Sequence, residues 1–247
     1  MQKFFPIRSN NLPEINREDE IRLILFFLHI FSLFCSFVIR KMNNSEKFWN
    51  ECHIRYNTGS LKEETCWDLF ADQLSVSNGP ALDLACGTGS DSLWLKNHGI
   101  SSIACDYSLA GLKLLYTYLP DIPVVCFDMT NSFPFPEAAF GTLICDMGLH
   151  FFSEKETHSI LSEIRRILKK SGTAFFRVNA FEDLEQEKII SEIEPHFYHL
   201  KDDVNMRYFT KEDIGRFFGN WTFFDAQRTQ MTRYGSPRET WILRCSN

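Results

Sequence analysis

The sequence predicts an α/β fold built on a doubly wound, mostly parallel seven-stranded sheet, and three observations carry that prediction. Short apolar runs recur at Ala81–Ala85, Ser102–Cys105, Val124–Phe127, Thr142–Asp146 and Thr173–Val178. Helical patterns lie between most of them, and such alternation calls for parallel strands joined by right-handed crossovers. The first run breaks at Cys86-Gly87-Thr88-Gly89-Ser90, directly ahead of a helical segment. Glycines there let the backbone approach a ligand, and the helix start behind them offers unpaired N–H groups. The expectation is a nucleotide-type site at the end of the first strand of a Rossmann-like sheet.

The 247 residues suffice for one large domain, or one domain with an appendage. Leu23–Ile39 runs without a charge and ends at Arg40-Lys41, at the short limit of a membrane span, about 17–25 residues. Residues 1–41 therefore read as an over-extended start ahead of Met42, as a membrane anchor, or as an apolar helix packed on the domain or a partner. In the anchor reading Arg40-Lys41 holds the following domain in the cytoplasm. The catalytic domain is expected over 42–247 in every case, with membrane contact only through residues 23–39.

From Ser45 the chain reads helical, and Trp49 and Tyr56 either pack this helix onto the domain or form a lid. A second helix is expected from about Lys62 to Leu74. Helical patterns follow at Ser92–Asn97, Ser108–Tyr118 and Glu154–Lys170. The last carries an apolar stripe of Ile160, Leu161, Ile164, Ile167 and Leu168, closed by Ser171-Gly172. Past the fifth strand, residues 181–209 are charged and aromatic and read as a cap insertion. Thr210 is a candidate N-cap for a helix through Ile214–Phe218. Trp221–Arg228 and Glu239–Arg244 then form a hairpin that supplies an antiparallel last strand.

The formal charge is −6 overall. Residues 1–41 hold six Lys/Arg and four Asp/Glu, which leaves 20 basic and 28 acidic side chains, or −8, on residues 42–247. So acidic a domain is poorly suited to a phosphate backbone, and nucleic acid is an unfavoured partner. The eight cysteines show neither a CxxC pair nor the spacing of a zinc site, so no metal is expected. Cys86, Cys105, Cys126 and Cys145 fall in or beside apolar runs, as buried thiols in a reducing cytosol would.

The ligand class follows from what the glycine turn lacks. A dinucleotide fingerprint needs a third glycine or alanine where Ser92 stands, plus an acid after the second strand; the acid alone is present, as Asp106. The first strand also carries Asp83 inside its apolar run, where a carboxylate needs a cation or donors. A ligand with an ammonium group meets that need, whereas a pyrophosphate is repelled.

Asp83-Leu84-Ala85-Cys86-Gly87-Thr88-Gly89 resembles motif I of the class I S-adenosylmethionine-dependent methyltransferases, specifically a type 11-like, small-molecule group. Four further blocks fall in that family's order: Ile103–Ser108, Cys126–Met129, Phe133–Ile144 and Ile164–Gly172. The likeness covers about residues 45–245; Gly141 and Ser171 depart from the usual Asp and Pro. It implies S-adenosyl-L-methionine as cofactor, held by Asp83, Ala85, Cys86, Gly87 and Gly89 at the methionine end. It further implies Asp106 and Tyr107 at the ribose, Asp128 and Met129 at the adenine, and Asp146 and Tyr56 alongside. The acceptor is expected at the strand ends beside Trp49 and Phe151, with Arg177, Asn179, Arg207 and Tyr208 as its polar candidates. His150 is the candidate base, although alignment alone supplies much of such a reaction.

The favoured reading is methyl transfer to an O, N or S atom of a small molecule. A macromolecule methyltransferase and a non-catalytic cofactor-binding module stay open beside it. Against nucleic-acid enzymes, the fourth strand ends Cys145-Asp146-Met147-Gly148, without an Asn/Asp-Pro-Pro-aromatic signature, and no Pro-Cys pair occurs.

Overall fold

The computed structural model describes residues 44–57, 59–75, 78–233 and 236–247. In chain order its helices are α1 (Asn44–Arg55), α2 (Ala71–Ser75), α3 (Ser90–Asn97), α4 (Leu109–Tyr118), α5 (Glu154–Ile167) and α6 (Lys211–Phe218). Its strands are β1 (Ala81–Leu84), β2 (Ser102–Asp106), β3 (Val124–Cys126), β4 (Phe140–Asp146), β5 (Leu168–Asn179), β6 (Ile189–Glu194), β7 (Phe197–Leu200), β8 (Asn205–Arg207), β9 (Phe223–Met231) and β10 (Arg238–Ser246).

β1 and β4 are buried along their whole lengths, as central parallel strands covered on both faces must be. The seven-stranded sheet has the order β3-β2-β1-β4-β5-β10-β9. The first five strands are parallel neighbours; β10 runs antiparallel to both β5 and β9. The predicted doubly wound sheet with an antiparallel last strand is therefore present. Strand order reverses between β1 and β4, which opens a crevice at their C-terminal ends.

Two hydrophobic clusters support that crevice. Trp67, Phe70, Leu74 and Trp94 pack with Ala81, Ile144, Phe175 and Ile242. Leu112, Leu115 and Leu119 pack with Cys86 and Ala104. Local chemistry sets the helix starts: Ser108 caps α4 by accepting from the Gly111 N–H, and α5 opens on a Ser153/Glu156 capping box. Thr210 caps α6 as predicted, within a Thr210/Asp213 capping box.

Two predicted helices differ. Lys62–Leu74 is not one helix: the chain is irregular to Thr65, makes a 3₁₀ turn over Cys66–Phe70, and only then enters α2. The buried residues of that turn, Trp67 and Phe70, are three apart, the spacing at which a 3₁₀ turn aligns side chains. The helix expected over Glu154–Lys170 stops at Ile167. Leu168 is already extended, with ψ 140°, and pairs with Phe140 before the register shifts to Thr142 and Thr173. Its burial comes from the sheet rather than from the helix stripe. Gly172 lies in the shifted stretch of β5, where a Cβ would stand 2.9 Å from the Lys169 carbonyl oxygen.

The predicted cap insertion folds as a second antiparallel sheet, β6-β7-β8. It has its own small core of Tyr198, Leu200 and Tyr208, with Phe181, Leu184, Ile189, Val204 and Met206 around it. Among the described residues no helix is long and apolar enough to cross a membrane; the apolar stretch 23–39 lies outside them.

Candidate functional site

The glycine turn between β1 and α3 requires left-handed backbone at alternate positions. Ala85 has φ +62°, Gly87 +55° and Gly89 +99°. A Cβ on Gly89 would stand 2.8 Å from Leu115 Cγ, so α4 can approach only a glycine there. The Asp106 carboxylate, at the end of β2, clamps the turn. Its Oδ2 accepts from the Gly87 N–H at 2.8 Å and its Oδ1 from the Ser108 N–H at 2.7 Å.

Helix α1 docks on this turn. Asn50 Oδ1 accepts from Ser108 Oγ at 2.8 Å and from the Ala110 N–H at 2.9 Å, a second cap for α4. The His53 ring lies beside two glycines: its Cε1 would be 3.1 Å from a Cβ at Gly87, and its Cδ2 3.0 Å from one at Gly111. Burial holds His53 below the usual imidazole range, against the pull of the Asp106 charge, so it is neutral at physiological pH. Trp49 meets Phe151 edge-on, ring centroids 4.6 Å apart. Trp49 thus joins α1 to the turn after β4. Tyr56, expected at the cofactor, is 72% exposed just past the end of α1.

A charged network fills the end of β4 and β5. Asp146 accepts from Arg177 Nε and Nη2, both at 2.7 Å. Arg177 also donates to Glu64 Oε2 at 2.9 Å and to Oε1 at 3.4 Å. Arg233, beyond β9, reaches back to Glu64 at 2.8 Å and to Asp146 Oδ2 at 2.8 Å. Arg177 and Asp146, expected at the acceptor and the cofactor, are therefore bound to each other and are buried. Burial pushes Glu64 up, but the Arg177 hydrogen bond and the charges of Arg233 and Arg177 outweigh it and bring the carboxyl to about 2.

Asp83 is fully buried. Its Oδ2 accepts from Ser92 Oγ at 2.5 Å, while Oδ1 has no hydrogen-bond partner. Burial first, then the Asp91 charge, pushes its carboxyl well above the ordinary range.

His150 is buried in the 3₁₀ turn Leu149–Phe151, beside the Phe151 ring at 4.2 Å. Its Nδ1 has no partner. Burial lowers it to about 3, although the Asp146 charge opposes the shift. Such an imidazole is a weak proton acceptor, which argues against the base role expected of it.

The remaining expected residues divide. Asp128 Oδ1 accepts from the Thr130 N–H at 2.9 Å and from Thr130 Oγ1 at 2.6 Å, which makes it the acid of a local turn after β3; Met129 beside it is buried. Cys86 is buried, and its N–H bonds the Cys105 carbonyl at 2.9 Å; Tyr107, at the end of β2, is half-buried. Asn179 is buried at the end of β5 with Oδ1 unpartnered. Arg207 and Tyr208 are corrections: both sit inside the cap. Arg207 donates to the Pro195 carbonyl at 2.9 Å and to Glu194 at 2.7 Å, and lies over the Phe197 and Phe217 rings. Tyr208 belongs to the cap's core, where burial raises its phenol to about 12. The cap needs its aromatic and charged residues to close its own small core.

Sequence reasoning missed Asn50, His53, Glu64, Asp91, Gly111 and Arg233. Asp91 carried a usable signal, an acid in the first turn after the glycines. The others come from distant parts of the chain, and nothing local distinguishes them.

A family model described as a methyltransferase domain matches residues 82–176. A demethylmenaquinone methyltransferase of Paenarthrobacter aurescens (strain TC1) is 34% identical over 105 residues, 42% of this chain and 40% of the relative. The chain spans about half or less of the length of the curated relatives it matches. A solved S-adenosylmethionine-dependent methyltransferase from Methanosarcina mazei superposes with TM-score 0.63 at 15% identity, over 72% of this chain and 96% of that one. A Burkholderia thailandensis 1,6-didemethyltoxoflavin N1-methyltransferase, solved with its acceptor and S-adenosylhomocysteine, gives TM-score 0.55 at 14% identity over 96% and 93%. At such identities the solved structures speak for the fold, while the family match speaks for the segment that holds the glycine turn and β2 through β5. Residues 82–176 accordingly match a methyltransferase domain, set in a fold shared with solved S-adenosylmethionine-dependent methyltransferases.

Proposed function

We propose that this chain transfers a methyl group from S-adenosylmethionine to a small, flat, largely apolar acceptor. The observation that carries the reading is the glycine turn at the strand-order reversal, clamped by Asp106 and underlain by a buried carboxylate with a free oxygen. The residues fit the cofactor on one structural ground: Asp83 Oδ1 is a buried acceptor in need of a donor.

Bound there, the cofactor supplies a methyl group on a positively charged sulfur. Ala85 to Gly89 would hold the amino-acid end, with Asp83 answering its ammonium. Asp106 and Tyr107 would face the ribose; each Asp106 oxygen accepts one backbone N–H and keeps a lone pair for a hydroxyl. Asp128 and Met129 would lie toward the adenine. Trp49, Phe151 and His150 would line the acceptor side, where an edge-on aromatic pair suits a flat ring. With His150 held neutral, the chain's contribution is to align the acceptor and exclude water, which is worth about 7–11 kcal/mol in well-oriented reactions. The relative that acts, by its name, on demethylmenaquinone supports an aromatic acceptor. Seven free thiols among the described residues suit a reducing compartment.

The test is incubation of the chain with methyl-labelled cofactor and fractionated metabolites, beside bulk tRNA and protein. Label in a low-molecular-weight aromatic product is the expected result. Label confined to tRNA or protein would move the acceptor to a macromolecule, and tight cofactor binding with no labelled fraction would leave a binding module.

A further inference from the structure

A buried excess of negative charge lies beneath the glycine turn. Glu64, Asp83, Asp91 and Asp146 gather there against two guanidinium groups, Arg177 and Arg233. If all were ionised, the acids would outnumber the cations by two. Arg177 and Arg233 are both engaged by Glu64 and Asp146. Asp91, in the first turn of α3, receives the Trp67 indole N–H at 2.5 Å and meets Arg233 only at 3.8 Å. Asp83 has the Ser92 hydroxyl on one oxygen and nothing on the other.

The groups facing Asp91 come from every neighbouring element. They are Asp83 on β1, Asp146 on β4, Arg177 on β5 and Arg233 beyond β9, with Glu64 ahead of α2 linked to it through Arg233. Beside them stand the Cys66, Cys86 and Cys145 thiols, kept neutral by burial. Burial, then the Asp146 charge, lifts Asp91 to about 7, against Arg233, the Trp67 bond and Arg177. Asp83 and Asp91 flank the turn in sequence, at residues 83 and 91, and oppose each other electrostatically beneath it. In a site of low effective dielectric such charges act over several ångströms.

We propose that Asp91, together with Asp83, forms a charge-selective seat that favours the cationic methyl donor over its neutral-sulfur product and gives up a proton as the donor binds. This rests on the methyltransferase reading above. The donor carries a sulfonium, an ammonium and a carboxylate, one positive charge in all. Loss of the methyl cation to the acceptor leaves a thioether, so the product carries none. The ammonium attraction is common to both ligands; the sulfonium attraction belongs to the donor alone. On donor binding the Asp91 carboxyl O–H breaks, its electron pair stays on the carboxylate, and the proton goes to the buffer. The seat would therefore both select substrate and speed product release.

The experiment is calorimetric titration of the full chain with S-adenosylmethionine and, separately, S-adenosylhomocysteine near pH 7. Two buffers of different ionisation enthalpy count the protons, and Asp91→Asn is compared with the natural chain. The asparagine keeps an acceptor for the Trp67 N–H. The natural chain is expected to release about half a proton with the donor and clearly less with the product. Its donor preference should fall by about tenfold between pH 8 and pH 6. Asp91→Asn should remove the excess of release with the donor over the product and bring the two affinities within about threefold. Equal release for both ligands, a preference flat with pH, or a variant that keeps the preference would overturn the proposal. If the variant does not fold, the pH series on the natural chain decides alone. Failure to bind either ligand would instead remove the methyltransferase reading, a result distinct from binding without discrimination.

Discussion

Replacing Arg177 by methionine separates a structural arginine from one that meets an anionic acceptor. Its guanidinium makes four hydrogen bonds, two to Asp146 at 2.7 Å and two to Glu64 at 2.9 and 3.4 Å. The side chain is 2% exposed, and those of Asp146 and Glu64 1% and 12%. Methionine fills much of the volume but leaves two buried carboxylates with Arg233 as their remaining close cation. Removing one partner of a buried pair is worth about 3–5 kcal/mol, a large share of a typical domain's 5–15 kcal/mol or so. The loss should depend on pH. Glu64 titrates at about 2 in the fold, against 4.5 ordinarily. A depressed carboxyl contributes stability that is complete above its unfolded value and fades as pH falls through the folded one. The gap between the natural chain and Arg177→Met should therefore be full at pH 7 and narrow between about pH 4.5 and 2. Urea denaturation followed by circular dichroism measures it across that range. A variant within about 1 kcal/mol of the natural chain at pH 7, with a raised KM for the acceptor, would refute the structural assignment.

Gly89→Ala places a Cβ 2.8 Å from Leu115 Cγ at φ +99°, and a loss of about 2–4 kcal/mol should appear as a lower Tm. Ala85→Gly relieves a left-handed alanine at φ +62°; the gain in the fold and the extra freedom of the unfolded chain offset each other, so denaturation should show a change under about 1 kcal/mol. Asn50→Ala removes both bonds from α1 to the start of α4, worth about 1–2 kcal/mol, and hydrogen exchange along α1 should quicken while β1 is unaffected. His150 titrates at about 3, so the imidazole stays neutral at neutral pH, and His150→Gln should leave the shape of the pH–rate profile unchanged from pH 6 to 8. Loss of an inflection in that range on this substitution would restore His150 as a titrating group.

Much of this architecture is readable from local signals. The five parallel strands, the caps at Ser108 and Thr210 and the antiparallel end each depend on residues a few positions apart. The two misread helices mark the limit of that reading. Cys66–Phe70 carries apolar residues at spacings a helix would also use, and Leu168 continues the apolar stripe of α5. Their conformation is fixed by what they pack against, Phe175 for Trp67 and Phe70 and Phe140 for Leu168.

The site divides in the same way. By itself the sequence determined the glycine turn, the acid within β1 and the acids at the ends of β2 and β4, because strand alternation and glycine placement are local. Only the tertiary structure decided what those acids do. Arg177 closes an ion pair with Asp146, Arg233 returns from a loop 87 positions beyond Asp146, and α1 lays Asn50 and His53 on the turn. Whether a carboxylate is paired, protonated or left open to a ligand depends on burial and on charges brought in from distant segments, and neither is written in its neighbours.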